Sequence, residues 1–161
     1  MKKAVAVANK ILELAKDNND DSITPMQLIK LVYLSHAWML GLYGRPLIRE
    51  HVQAWQYGPV IRPVYEAVKK YRDRPVVYPL HNHFGKAIES DFNDEELDII
   101  RQVYEMYGEW DGITLSRLTH KSGSPWDITW SQHGQNAVIS NDLIEHHYKK
   151  LYAEMSQQEE H

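Results

Sequence analysis

The side chains of this 161-residue chain that most invite a chemical reading are its nine histidines. His81 and His83 stand two apart, and His146 and His147 are neighbours. A helix brings metal ligands together at spacings of three or four, as in an HExxH pair, and no two histidines here have that spacing. Adjacent residues on a helix point about 100° apart, so His146 and His147 do not share an ion easily. His81 and His83 would share one from a strand, but they lie in an unpatterned stretch with no third ligand close by. The expectation is therefore no metal and no cofactor. A metal-dependent hydrolase using His81, His83 and His120 is the enzymatic alternative. Nucleophilic chemistry fares no better. The chain has no cysteine, which removes disulfides, thiolate catalysis and thiolate metal sites. Ser122-Gly123-Ser124 near His120 lacks the strand-to-helix elbow that exposes a catalytic serine, and Gly123 reads as a turn residue. No glycine-rich phosphate loop is present. Glu95, Glu96 and Asp98 gather at a helix start, where the macrodipole alone accounts for them.

Binding chemistry is better represented. Trp55, Tyr57, Trp110, Trp126 and Trp130 fall in or beside connecting segments, and Arg45, Arg49, Arg62, Arg72 and Arg74 crowd into one third of the chain. Trp, Tyr and Arg are the residues that dominate protein–protein contacts, although large aromatics near turns also serve as lids on a small core. With 18 basic and 22 acidic residues the net charge is −4, which argues against nucleic acid as a partner. A helix-turn-helix around Asp17 to Thr24 would present Asp17, Asp20 and Asp21 to phosphate.

The elements that must position these residues are mostly helical. The organising stretch is Ile23 to Gly44, ITPMQLIKLVYLSHAWMLGLYG. Thr24 and Gln27 make a capping box, Pro25 takes the first helical position, and Ile23 with Leu28 makes a hydrophobic staple. This helix is apolar nearly all round, so it belongs in a core with neighbours on several sides. Gln27, Lys30, Ser35 and His36 interrupt it too often for a membrane span. His36 reads as a core histidine satisfied by one hydrogen bond. Gly44 ends the helix, and Arg45-Pro46 prevents its continuation.

Before it, residues 3–17 make an amphipathic helix rather than a signal peptide. After it, Leu47-Ile48 and Val52 to Trp55 are β-prone, and Tyr57-Gly58-Pro59 is a turn signal. Helices are expected from Arg62 to Tyr71 with Val64, Tyr65, Val68 and Tyr71 inward. A second follows from Asn93, with an Asn-x-x-Glu cap, to Gly108, with Leu97, Ile100, Val103, Tyr104 and Tyr107 inward. Shorter ones follow over Thr114 to His120 and from Pro125, capped by Ser124, to Trp130. The last runs from Ser140 or Asn141 to Met155, with Leu143, Ile144, His147, Tyr148, Leu151 and Tyr152 as its stripe. Residues 72–93 read as a long loop, and 156–161 as a frayed polar tail. The fold class is mostly α: one compact helical domain over 1–161, with a central buried helix and at most a small β-hairpin. A cytoplasmic location is expected.

Three motifs together resemble the Panacea domain of SocA-like antitoxins and phage-associated proteins. They are KLVYLSHAWMLGLYGRPL at Lys30 to Leu47, AWQYGPVIRPVY at Ala54 to Tyr65, and LSRLTHKSGSPW at Leu115 to Trp126. The resemblance does not reach Arg72 to Asn93 or the C-terminal helix. It implies a non-enzymatic antitoxin that neutralises a cognate toxin by direct binding. One branch implies a proteolytic adaptor instead, with a AAA+ protease as second partner. Within the motifs, Trp55, Tyr57, Arg62 and Tyr65 are the expected partner-binding residues. Lys30, His36, Gly58, Pro59, Thr119, His120, Pro125 and Trp126 are expected to hold the fold. Gly58-Pro59 would shape a turn that aims Trp55 and Tyr57, and Thr119, His120 and Trp126 would lock the third motif against the first. If these motif residues are structural, the toxin-contacting surface is expected elsewhere, with the irregular Arg72 to Asn93 segment as the candidate.

Overall fold

Thr24 and Gln27 start the helix on which the molecule is built, in a computed structural model that describes residues 1–159. The Thr24 hydroxyl accepts from the Gln27 amide at 3.4 Å, and the Gln27 side chain accepts from the Thr24 amide at 2.8 Å. Helix α2, Pro25–Tyr43, then runs to Gly44, whose left-handed φ of 69° closes it. Every residue from Gln27 to Gly41 is buried. Its neighbours are α1 (Ala4–Asp17), α3 (Arg62–Val68), α4 (Asp94–Tyr107), α5 (Gly112–His120) and α7 (Asn141–Glu159). The closest of these packings is with α7: a Cβ added at Gly41 would sit 2.8 Å from the Tyr148 Cβ. Among the described residues, no helix is long and apolar enough to cross a membrane.

The β content is a three-stranded antiparallel sheet, ordered β2-β1-β3, from Val52–Trp55 (β1), Gly58–Val60 (β2) and Val138–Ile139 (β3). Trp55 pairs with Gly58, so the hairpin loop is Gln56 and Tyr57. This corrects the expected turn at Tyr57-Gly58-Pro59. Gly58 and Pro59 are strand residues, because Ala54 opposite Pro59 fixes the register one step earlier. The third strand, Val138–Ile139, is only two residues long and left no pattern to read.

Most boundaries agree with the local signals. Asn93 and Glu96 form the second capping box, with 2.9 Å bonds in both directions. The first helix after the hairpin is α only to Val68 and continues as a 3-10 turn over Lys69–Tyr71. Helix α5 begins at Gly112, since Asp111 rather than a later residue caps it. Helix α6 spans Pro125–His133, capped by Ser124. In α4 the deeply buried positions are Glu96, Ile99, Ile100, Val103 and Tyr107, while Leu97 is only half-buried. Helix α7 carries Tyr152 exposed and runs through residues 156–159. Residues 160 and 161 lie outside the described residues. The 72–93 segment holds neither helix nor strand. Asn9 pins it to α1, donating to the Leu80 and Ile88 carbonyls at 2.9 Å and accepting from the Leu80 amide at 2.7 Å.

Candidate functional site

The exposed tip of the hairpin and the first turns of α2 face one another across a cleft of about 610 Å³. Met26, Ile29 and Lys30 come from α2, Trp55, Gln56 and Tyr57 from the hairpin, and Tyr65, Lys69 and Arg72 from α3 and the turn after it. Trp55 and Tyr65 meet edge to face, ring centres 4.9 Å apart. Tyr57 is 61% exposed and stands at the rim.

The hairpin that presents these rings is gripped from behind by both helices of the third motif. Ser116 on α5 donates its hydroxyl proton to the Tyr57 carbonyl at 2.5 Å. Trp126 on α6 donates its indole N–H to the Trp55 carbonyl at 2.6 Å. The loop is thus held on either side of Gln56. The His120 ring sets its edge against Trp126, which stacks on Trp130 at 5.2 Å. The third motif therefore grips the hairpin of the second through Ser116 and Trp126, while its helix α5 also packs directly on α2 of the first. A preorganised loop spends less ordering entropy when it binds.

Lys30 gives the cleft its electrostatic character. It is 2% exposed, and its ammonium donates to the Pro59 carbonyl at 3.0 Å. Among the described residues no carboxylate pairs with it. Burial alone pushes its amine down to about 7, because a charge loses its hydration there. Gly58 makes this position possible. Its φ is +114°, and a Cβ there would stand 3.1 Å from Lys30 Nζ and 3.2 Å from Thr119 Oγ1. Arg72 has φ 57° and ψ −112°, and the Arg74 amide bonds back to the Tyr71 carbonyl. These are the dihedrals of the first central position of a type II′ turn, where glycine is the easy residue.

Of the four expected partner-binding residues, Trp55, Tyr57 and Tyr65 line this cleft and Arg62 does not. Arg62 lies on the outer side of α3, 65% exposed, facing Glu66 at 3.7 Å. Sequence reasoning missed Met26, Ile29, Lys69 and Gln135 as cleft residues, and assigned Lys30 to the fold alone. The sign of Lys30 was legible: a lysine inside an otherwise apolar helix face. His36 makes more bonds than the one expected. Its Nε2 meets Asn141 Oδ1 at 2.9 Å, and its Nδ1 accepts from the Leu47 and Ile48 amides at 3.2 and 3.3 Å. An acceptor Nδ1 requires the neutral ring, and burial pushes its pKa down to about 4.

The three histidines of the hydrolase alternative do not meet. His81 bridges Ala87 within the loop, and His120 Nδ1 faces the Ser116 hydroxyl at 3.2 Å. Among the described residues, no three His, Cys, Asp or Glu side chains gather as a ligand set. A larger groove, about 1260 Å³, runs between α1 and the 72–93 segment. Its walls mix charges of both signs, Lys10 and Lys16 with Glu13, Asp20, Asp21, Glu89 and Asp91, with apolar side chains of the segment such as Val77, Tyr78 and Phe92.

Fold and cleft together define a small helical domain that presents an aromatic, cationic recess on a braced hairpin. The family described as "Antitoxin SocA-like, Panacea domain" matches residues 28–127, and the chain belongs to that family. The chain is also similar to the Antitoxin SocA of Caulobacter vibrioides (strain NA1000 / CB15N). The two are 29% identical over 142 residues, which cover 83% of this chain and 73% of that protein. No solved structure matches the chain.

Proposed function

We propose that this chain is an antitoxin that neutralises a cognate toxin by direct protein–protein contact, without catalysis and without a metal. The supporting observation is the cleft: Trp55, Tyr57 and Tyr65 converge on one recess whose hairpin is braced by Ser116 and Trp126. Rigid aromatic anchors around a pocket are what binding hot spots are made of. Membership of the SocA-like antitoxin family supports the same reading.

The test is growth rescue. The product of the neighbouring open reading frame is expressed alone, then with this chain, then with single variants. The expected result is arrest by the neighbour and restored growth with the wild-type chain. Tyr57→Ala should abolish rescue while leaving the melting temperature unchanged, because the ring is mostly in solvent. Arg62→Ala should rescue like wild type, because its side chain lies outside the cleft. Failure of rescue with both proteins soluble would contradict the proposal.

A further inference from the structure

The lining of the cleft is charged with one sign only. Lys30, Lys69 and Arg72 contribute cations, and no Asp or Glu lines it. The chain as a whole has the opposite balance, with 22 acidic residues against 18 basic. Lys69 is partly neutralised by Glu66 at 2.6 Å on α3, but Lys30 and Arg72 form no ion pair among the described residues. Both are held there at a disadvantage. A buried ammonium without a counter-charge is unfavourable. An arginine at positive φ sits where glycine would fit without strain. Folding alone favours neither arrangement: an incoming anion would supply the counter-charge that Lys30 lacks, and the strained turn at Arg72 sets a second, unpaired cation on the same cleft.

We infer that the cleft receives an acidic peptide segment of its partner: an Asp or Glu carboxylate directed at Lys30 and Arg72, with an adjacent apolar or aromatic side chain against Trp55, Tyr57 and Tyr65. The inference rests on the reading above that the cleft receives a partner protein. A free inorganic anion would match the cations and leave the ring-lined walls in water. The volume of about 610 Å³ holds several side-chain-sized groups rather than one small ion. Carboxylate and cation across such a contact set which segment binds, while the rings supply most of the affinity.

The experiment is selection of a random peptide library displayed on phage against the immobilised full chain. Selected peptides should share an acidic residue beside an aromatic or aliphatic one. A synthetic copy should bind Arg72→Gly and Lys30→Met at least about tenfold more weakly than wild type, a loss of roughly one charge pair. Changing its carboxylate to the amide should cost a similar factor. At about pH 6 both variants should melt no lower than wild type, which separates a lost contact from a lost fold. Binders without acidic residues, no binders at all, or affinities untouched by both substitutions would overturn the inference. So would tighter binding of inorganic phosphate or of an oligothymidylate than of the peptide. Separately, a neighbouring-frame product that binds wild type and Arg72→Gly equally would leave the antitoxin reading standing and remove this one. Peptide binding with no toxin binding would do the reverse.

Discussion

Lys30 and His36 lie on the same helix and respond to pH by the same mechanism. The unfolded chain holds the Lys30 proton up to about 10.5, the folded chain only to about 7. Stability is therefore lost as pH falls between those values, and the loss is complete below the lower one. The full penalty is on the order of 5 kcal/mol. Lys30→Met removes it, but strips the Pro59 carbonyl of its donor, which costs about 1–3 kcal/mol. At about pH 6 the variant should be more stable to denaturant, by roughly 2–4 kcal/mol, and at about pH 10 less stable. A variant destabilised at both would show that Lys30 is a structural strut. His36 has its own window. Its folded pKa of about 4 lies below the ordinary 6.5, so stability is lost as pH falls through that interval, by on the order of 3 kcal/mol. Denaturant titrations from neutral pH down to about pH 4 should show this slope, and His36→Gln should flatten it. The sequence announced both residues as polar groups in an apolar helix. It did not announce their partners, because Pro59, Leu47, Ile48 and Asn141 reach them only through the tertiary fold.

At the scale of elements, the helix starts were the most legible feature. The Thr24–Gln27 and Asn93–Glu96 boxes are written within four residues and do not depend on distant packing. The hairpin was legible in kind but not in register. Pairing of Ala54 with Pro59 moved the loop to Gln56 and Tyr57 against a strong local turn signal. The grip of Ser116 and Trp126 on that loop joins residues 59 and 71 positions apart, beyond any local pattern. Gly41 is another case of long-range control. It looks like an incidental glycine in a helix, where alanine would normally be favoured. Here a Cβ would press on the backbone and Cβ of Tyr148, so α7 would have to move away. Gly41→Ala should destabilise the fold by about 1–3 kcal/mol despite its better helix propensity, as read by the shift of a denaturation midpoint. An unchanged or raised midpoint would mean that the α2–α7 contact is looser than described.

Across the whole molecule, the cleft draws on residues from Pro25 to Gln135, which no window of sequence contains. Its aromatic members could be picked by type, and three of four expected partner residues line it. Arg62 falls outside the cleft because Val64 and Val68 turn one side of α3 into the core, which leaves Arg62 on the opposite side and Tyr65 on the flank. Lys69, and the place of Arg72 in the cleft, were hidden for a different reason. Their positions depend on a switch to 3-10 geometry and on a turn that violates residue preference. The family's three motifs thus meet in one construction: the first supplies the floor with Lys30, the second the rings, and the third the brace. Such a construction makes the central claim measurable in one binding experiment. Purified product of the neighbouring reading frame is titrated into this chain by calorimetry, alongside Tyr57→Ala. The account predicts a stoichiometric complex with wild type and at least about a tenfold weaker one with the variant. No heat of binding, or equal affinity for the two proteins, would contradict it.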